Sequence, residues 1–115
     1  KTAYEIRLSL VGSEMCIRDR YERALQLRPD DAGMHNNLAN VLTELGDLPG
    51  AVSRYEKALA LAPDFVDPRR NLALLLLHLG RPNAAEPHLE FLVRRFPSDP
   101  AIAQALQETR AALGR

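Results

Sequence analysis

The chain has 115 residues, with 15 Lys and Arg balancing 15 Asp and Glu, one cysteine, no tryptophan and 46% hydrophobic residues. Neutrality removes the field that would draw nucleic acid or an anionic membrane, and no apolar run is long enough to span a bilayer. The lone Cys16 builds neither a disulfide framework nor a cysteine zinc site, so the composition describes one small domain or a piece of one.

The first twenty residues read differently from the rest. Lys1-Thr2-Ala3-Tyr4-Glu5-Ile6 back-translates to the end of a transposon-library index primer. Leu10-Val11-Gly12-Ser13-Glu14-Met15-Cys16-Ile17-Arg18-Asp19 gives the read primer and mosaic end that follow it, and Arg7-Leu8-Ser9 fall where a sample index would sit. Lys1–Arg20 therefore reads as translated sequencing adapter, to be set aside from fold reasoning as a tag would be. Without it 95 residues remain, carrying 11 basic and 12 acidic side chains. Their single lysine, Lys57, beside abundant Ala and Leu suggests a GC-rich bacterial coding sequence. Ile17–Arg20 can still extend a helix into Tyr21.

From Tyr21 onward the chain repeats itself at an offset of 34. Pro29, Pro63 and Pro97 align, as do Gly46, Gly80 and Gly114, and Leu38, Leu72 and Leu106. Asn37 falls over Asn71, Ala39 over Ala73, Ala51 over Ala85, Tyr21 over Tyr55 and Ala24 over Ala58. Each unit reads as two helices. Over Ala32–Leu45, the spacing of Leu38, Leu42 and Leu45 is one stripe of a 3.6-residue period, and Gly46 supplies a residue able to take positive φ at the stop. Asp47 can cap the next helix and Pro49 suits its first turn, after which Ala51, Tyr55, Ala58 and Leu59 form a second stripe. Pro63 ends that helix. The next unit is predicted as Val66–Leu79, Gly80, a helix from Pro82 to Arg95 kinked by Pro87, and Pro97. Small residues at Ala39, Ala51 and Ala58, recurring at Ala73 and Ala85, let two antiparallel helices approach closely.

This pattern resembles the tetratricopeptide repeat family. Ala32–Phe65 carries the family's leucine and small residue (Leu38, Ala39), its glycine (Gly46), its early small residue (Ala51), and the series Tyr55, Ala58, Pro63. Val66–Asp99 keeps Leu72, Ala73, Gly80, Ala85 and Pro97 but has Leu89 in place of the aromatic. Where the family has a large aromatic early in the first helix, this chain has His35 and then Arg69. The resemblance implies an all-α fold, an alpha-alpha superhelix of antiparallel helix pairs. Its two full repeats are 32–65 and 66–99, flanked by the back half of a repeat at 21–31 and a first or capping helix at 100–115. Exposed repeat ends imply a fragment that is marginal, self-associating or partly frayed at 100–115.

In such arrays the first helix of each pair lines a concave face across which a partner segment lies. The exposed side of Ala32–Leu45 is expected to carry Asn36, Asn37, Asn40, Thr43 and Glu44. An Asn amide both donates and accepts, so it can pair with any peptide bond. Asn37 and Asn71, one repeat apart, resemble the asparagine ladder of arrays attached to O-GlcNAc transferase-like enzymes. Leu74 and Leu77 suit an apolar anchor. The candidate peptide-binding set is thus Asn36, Asn37, Asn40, Arg70, Asn71, Leu74 and Leu77. A second family use, the clamp for a chaperone's C-terminal carboxylate, needs cations where this chain has Asn36, Ala101 and Ala105.

No catalytic, metal or cofactor constellation stands out. His35, His78 and His88 lack ligand spacing, the glutamates read as solvated helix faces, and no phosphate loop or nucleophile elbow is present. The doublets Arg69-Arg70 and Arg94-Arg95 are too few for a nucleic-acid footprint. The expected function is a non-catalytic scaffold without cofactor, binding a protein or peptide and neither nucleic acid nor membrane, with the cytoplasm as its compartment. The alternative is the substrate-presenting arm of a larger transferase.

Overall fold

A computed structural model describes residues 16–115, and the adapter reading of Lys1–Arg20 falls mostly outside them. The described residues hold no strands. Helix α1 covers residues 16–27 and takes in the Ile17–Arg20 stretch expected to be helical. It is followed by α2 (Ala32–Leu45), α3 (Leu48–Leu61), α4 (Val66–His78), α5 (Pro82–Arg95) and α6 (Pro100–Ala112). The chain divides into two compact units, one ending at Ala62 and the other running Pro63–Arg115. In the first, α2 packs on α3; in the second, α5 packs on both α4 and α6.

The helix boundaries have local causes. Asp31, Asp47 and Asp99 cap α2, α3 and α6, their side chains accepting from the amides of Met34, Gly50 and Ala101 respectively. Gly46 and Gly80 take φ of 86° and 72°, which an L side chain resists, and so reverse the chain within two or three residues. Behind each glycine the same six-residue closure forms: Asp47 donates to the Leu42 carbonyl at 2.9 Å and Arg81 to that of Leu76 at 2.8 Å. Arg115 donates to the Arg110 carbonyl in the same way. Pro87 does not interrupt α5. Both Pro87 and Asn83, whose carbonyl loses its amide partner, are exposed, so water can serve that carbonyl.

Packing follows the small residues. Ala39, Ala51 and Ala58 in the first unit, and Ala73 and Ala85 in the second, are completely buried, with Leu38, Leu72 and Leu92 filling the space beside them. Segment 100–115 is joined to α5 by ion pairs. The buried Glu86 carboxylate of α5 pairs with Arg110 at 3.5 Å and with Arg115, and Glu90 pairs with Arg110 at 3.1 Å.

The residues standing at the family's aromatic position are used in a matched way. His35 is buried, its Nε2 donating to the Pro29 carbonyl at 2.9 Å, and its Nδ1 faces Arg54 Nη1 of α3 at 3.5 Å. Arg69 donates through Nη2 to the Pro63 carbonyl at 2.8 Å, and its Nη1 lies 3.1 Å from Nδ1 of His88 on α5. The Arg69 guanidinium also stacks on Phe91, 4.1 Å from the ring centroid. Its pKa is lowered by burial, opposed by Asp64. Burial, reinforced by the Arg69 charge, lowers the His88 pKa below the usual 6.5. That favours a neutral ring whose Nδ1 accepts from the guanidinium.

Two outcomes test this packing. Ala51→Leu should destabilise the fold by about 1–3 kcal/mol through overpacking, and an unchanged thermal melt would contradict the close approach. Because the folded pKa of His88 is depressed, the unfolded chain binds the extra proton first on acidification. Stability should therefore fall as pH drops below the ordinary value of 6.5. His88→Gln should flatten part of that fall in melting temperature measured between about pH 7.5 and about pH 5.

Candidate peptide-binding face

Within Pro63–Arg115, α4 and α6 border two adjoining hollows. The first, about 280 Å³, is lined by Arg70 and Leu74 of α4, Leu89 and Leu92 of α5, Asp99, and Ala101, Ile102 and Ala105 of α6. The second, about 370 Å³, is lined by Leu77, Gly80 and Pro82, with Ala105, Glu108, Thr109 and Ala112 of α6. Arg70, Leu74 and Leu77 follow the i, i+4, i+7 spacing that places them on one face of a helix. Three of the seven expected binding residues are thereby gathered along one wall. On the opposite wall α6 contributes the small side chains of Ala101, Ala105 and Ala112 beside Ile102, Glu108 and Thr109, and leucines of α5 form a floor to the first hollow.

The polar groups at these hollows fall into two kinds. Asp99 is committed to capping α6, and the Thr109 hydroxyl donates to the Ala105 carbonyl at 2.7 Å. Arg70 is exposed, its guanidinium 5.9 Å from the Phe96 ring centroid. Glu108 is also exposed and accepts from Gln104 at 3.0 Å. One cation and one carboxylate thus flank an otherwise apolar surface, to which Leu74, 55% exposed, contributes the largest open side chain.

The asparagines lie elsewhere and differ from one another. Asn37 is exposed on α2. Asn40 is exposed too, but its Oδ1 already accepts a short hydrogen bond from the Tyr55 hydroxyl of α3, which fixes the amide's orientation. Burial raises the Tyr55 pKa, opposed by a hydrogen bond with Thr43, so the phenol stays a donor at neutral pH. Asn36 was expected on the exposed side of α2. It is instead only 7% exposed, and its buried Oδ1 has no hydrogen-bond partner among the described residues. Thr43 is half-buried, its hydroxyl donating to the Ala39 carbonyl. Asn71 is half-buried on α4.

The alanine wall of α6 is the part that sequence reading missed. Ala101 and Ala105 stood out there only as places without cations. Their spacing with Ala112, facing the Leu74 and Leu77 stripe, is the signal that could have found it.

A polar hollow in the first unit, about 410 Å³, sets Glu22 of α1 against Arg54 and Lys57 of α3, with His35 at its side. Its one carboxylate is outnumbered by two cations. Among the described residues no group of His, Cys, Asp and Glu could hold a metal, and no helix is long and apolar enough to cross a membrane.

Solved structures share this architecture. The first tetratricopeptide repeat domain of Spaghetti (RPAP3), bound to the HSP90 peptide SRMEEVD, is similar with a TM-score of 0.77 at 17% identity, over 95% of this chain and 86% of that one. YrrB, described as a tetratricopeptide repeat protein with an unusual peptide-binding site, gives 0.81 at 25% identity, over 93% of this chain and 55% of its own. A MamA RS-1 double mutant gives 0.78 at 23% identity, over 90% and 58%. The chain thus spans little more than half the length of the latter two. No curated protein sequence matches it. The family defined as Tetratricopeptide repeat matches residues 42–109, more than half of the chain. Together with the helix pairs and their glycine turns, that match makes the chain a member of the tetratricopeptide repeat family.

Proposed function

We propose that this chain is a non-catalytic interaction scaffold and that it holds a peptide segment of a partner protein along the α4 and α6 hollows. The observation that carries the reading is the apolar surface between Leu74, Leu77 and the α6 alanines, with Arg70 and Glu108 at its margins. Repeats at 32–65 and 66–99 supply the helix pairs, and 100–115 supplies the wall. Of the asparagines, Asn37 is exposed on α2, Asn40 gives its Oδ1 to Tyr55, Asn36 is buried and Asn71 is half-buried, so none of them lines these hollows.

The lining also selects a class of segment. Leucine and alanine side chains offer no partners for a peptide backbone, and an extended segment buried against them would leave amides and carbonyls unsatisfied. An amphipathic helix satisfies its own backbone and presents an apolar stripe, which suits such walls. RPAP3 is named as bound to an HSP90 peptide, SRMEEVD, in which acidic residues outnumber basic ones. The hollows here carry one arginine and two carboxylates, so the same ligand has little to hold it. The transferase-arm alternative rests on Asn37 and Asn71, and Asn40, one turn beyond Asn37, already gives its carbonyl to Tyr55.

Selection from a displayed library of helical and extended peptides tests the proposal. Enriched peptides should carry apolar residues at i, i+3 or i+4 and i+7. Leu74→Asp and Ala105→Glu should each weaken binding by about tenfold or more, near 1.4 kcal/mol, with melting little changed. Enrichment of extended or acidic-tail peptides, or affinity indifferent to both substitutions, would count against it.

A further inference from the structure

The two helix pairs share buried residues at their close approach, which raises the question of how each first helix finds its own second helix. Leu38 and Leu72, Ala39 and Ala73, and Ala51 and Ala85 are identical at the offset of 34 and all are buried. Packing at these positions would be the same if α2 were laid against α5, or α4 against α3. Either exchange could occur within the chain or between two copies of it, the known hazard of repetitive folds.

Beside the buried difference of Ala58 against Leu92, two pairs of contacting positions break that equivalence. At the first, α2 carries His35 against Arg54 of α3, whereas α4 carries Arg69 against His88 of α5. The residue types are reversed, while the contact and the bond to a proline carbonyl six residues upstream are kept. At the second, Asn40 of α2 accepts from Tyr55 of α3, and the corresponding Leu74 and Leu89 line one apolar hollow together.

We infer that these matched pairs specify partner choice between the helices, holding α2 to α3 and α4 to α5 and excluding exchanged pairs, including those with a second copy of the chain. An α4 and α3 pairing would set Arg69 against Arg54, two cations in a partly buried contact. It would also place the Tyr55 hydroxyl opposite Leu74, with its hydrogen bond lost. An α2 and α5 pairing would set His35 against His88 without a guanidinium to donate to either ring, and would leave Asn40 facing Leu89. Each exchanged arrangement is therefore penalised at both positions, the repulsive element that specificity requires.

Reversing one unit so that both read alike provides the test. Arg69→His and His88→Arg should each lower the melting temperature of the full chain. The double variant should regain at least half of the combined loss, recovery being incomplete because the Arg69 stack on Phe91 is gone. The mirror exchange, His35→Arg with Arg54→His, is read in the same way. Adding Leu74→Asn and Leu89→Tyr to the second-unit exchange makes the two units alike at both pairs of contacting positions. After dilution from denaturant at high protein concentration, that fourfold variant should form several-fold more persistent dimer than the original chain. Two results would overturn the inference: neither double exchange recovering stability over its single variants, or the fourfold variant refolding with the dimer fraction of the original chain.

Discussion

The close approach of two helix backbones at buried alanines is the constraint on which the rest of the structure depends. With Ala39, Ala51 and Ala58 excluding solvent completely, α2 and α3 lie near enough for side chains of ordinary length to meet across them. The Tyr55 hydroxyl then reaches Asn40, and Arg54 reaches the His35 ring. Ala73 and Ala85 do the same for α4 and α5, where Arg69 reaches His88. The short turns are part of this constraint. A glycine at positive φ lets the chain reverse before the helices diverge, and the six-residue closure behind it spends carbonyls that would otherwise be unpaired.

The proposed binding face follows from the same economy of size. Where Ala101 and Ala105 of α6 stand across from Leu74 of α4, a hollow is left open, with Ile102 and the leucines of α5 beneath it. A wall of small residues needs to be held from behind. Glu86 does this from a buried position on α5 by pairing with Arg110 and Arg115, while Glu90 shares Arg110. Removing either arginine would leave a buried carboxylate less compensated, a larger cost than the ion pair itself is worth. Electrostatics in this chain therefore serve mainly to hold helices in place. The net neutrality of the sequence agrees with a partner gripped through apolar contact.

Much of the fold was legible because its signals are local. The leucine spacing and Gly46 gave α2 as Ala32–Leu45, and Pro82 with the following pattern gave α5 to Arg95, both as observed. Asp47 and Pro49 marked the start of α3, and Pro63 its end. The candidate site was legible in part. Arg70, Leu74 and Leu77 share a helix face, which spacing reveals, but what stands opposite them depends on α6, more than twenty residues away. Asn36 was misplaced because the leucine stripe understates the buried arc of α2, which also takes in His35 and Asn36. The His and Arg reversal was present in the offset comparison. It is a compensation between two positions, which matching single residues at the offset does not reveal.

The account stands or falls on where a peptide lies. The direct measurement is the set of backbone amide shifts in this chain on titration with a selected amphipathic helical peptide. Changes concentrated at Arg70, Leu74, Leu77, Ala101, Ala105 and Glu108 are predicted, with the resonances of the peptide itself showing helix on binding. Changes centred instead on the Glu22, Arg54 and Lys57 hollow, or a peptide that binds in extended form, would contradict it.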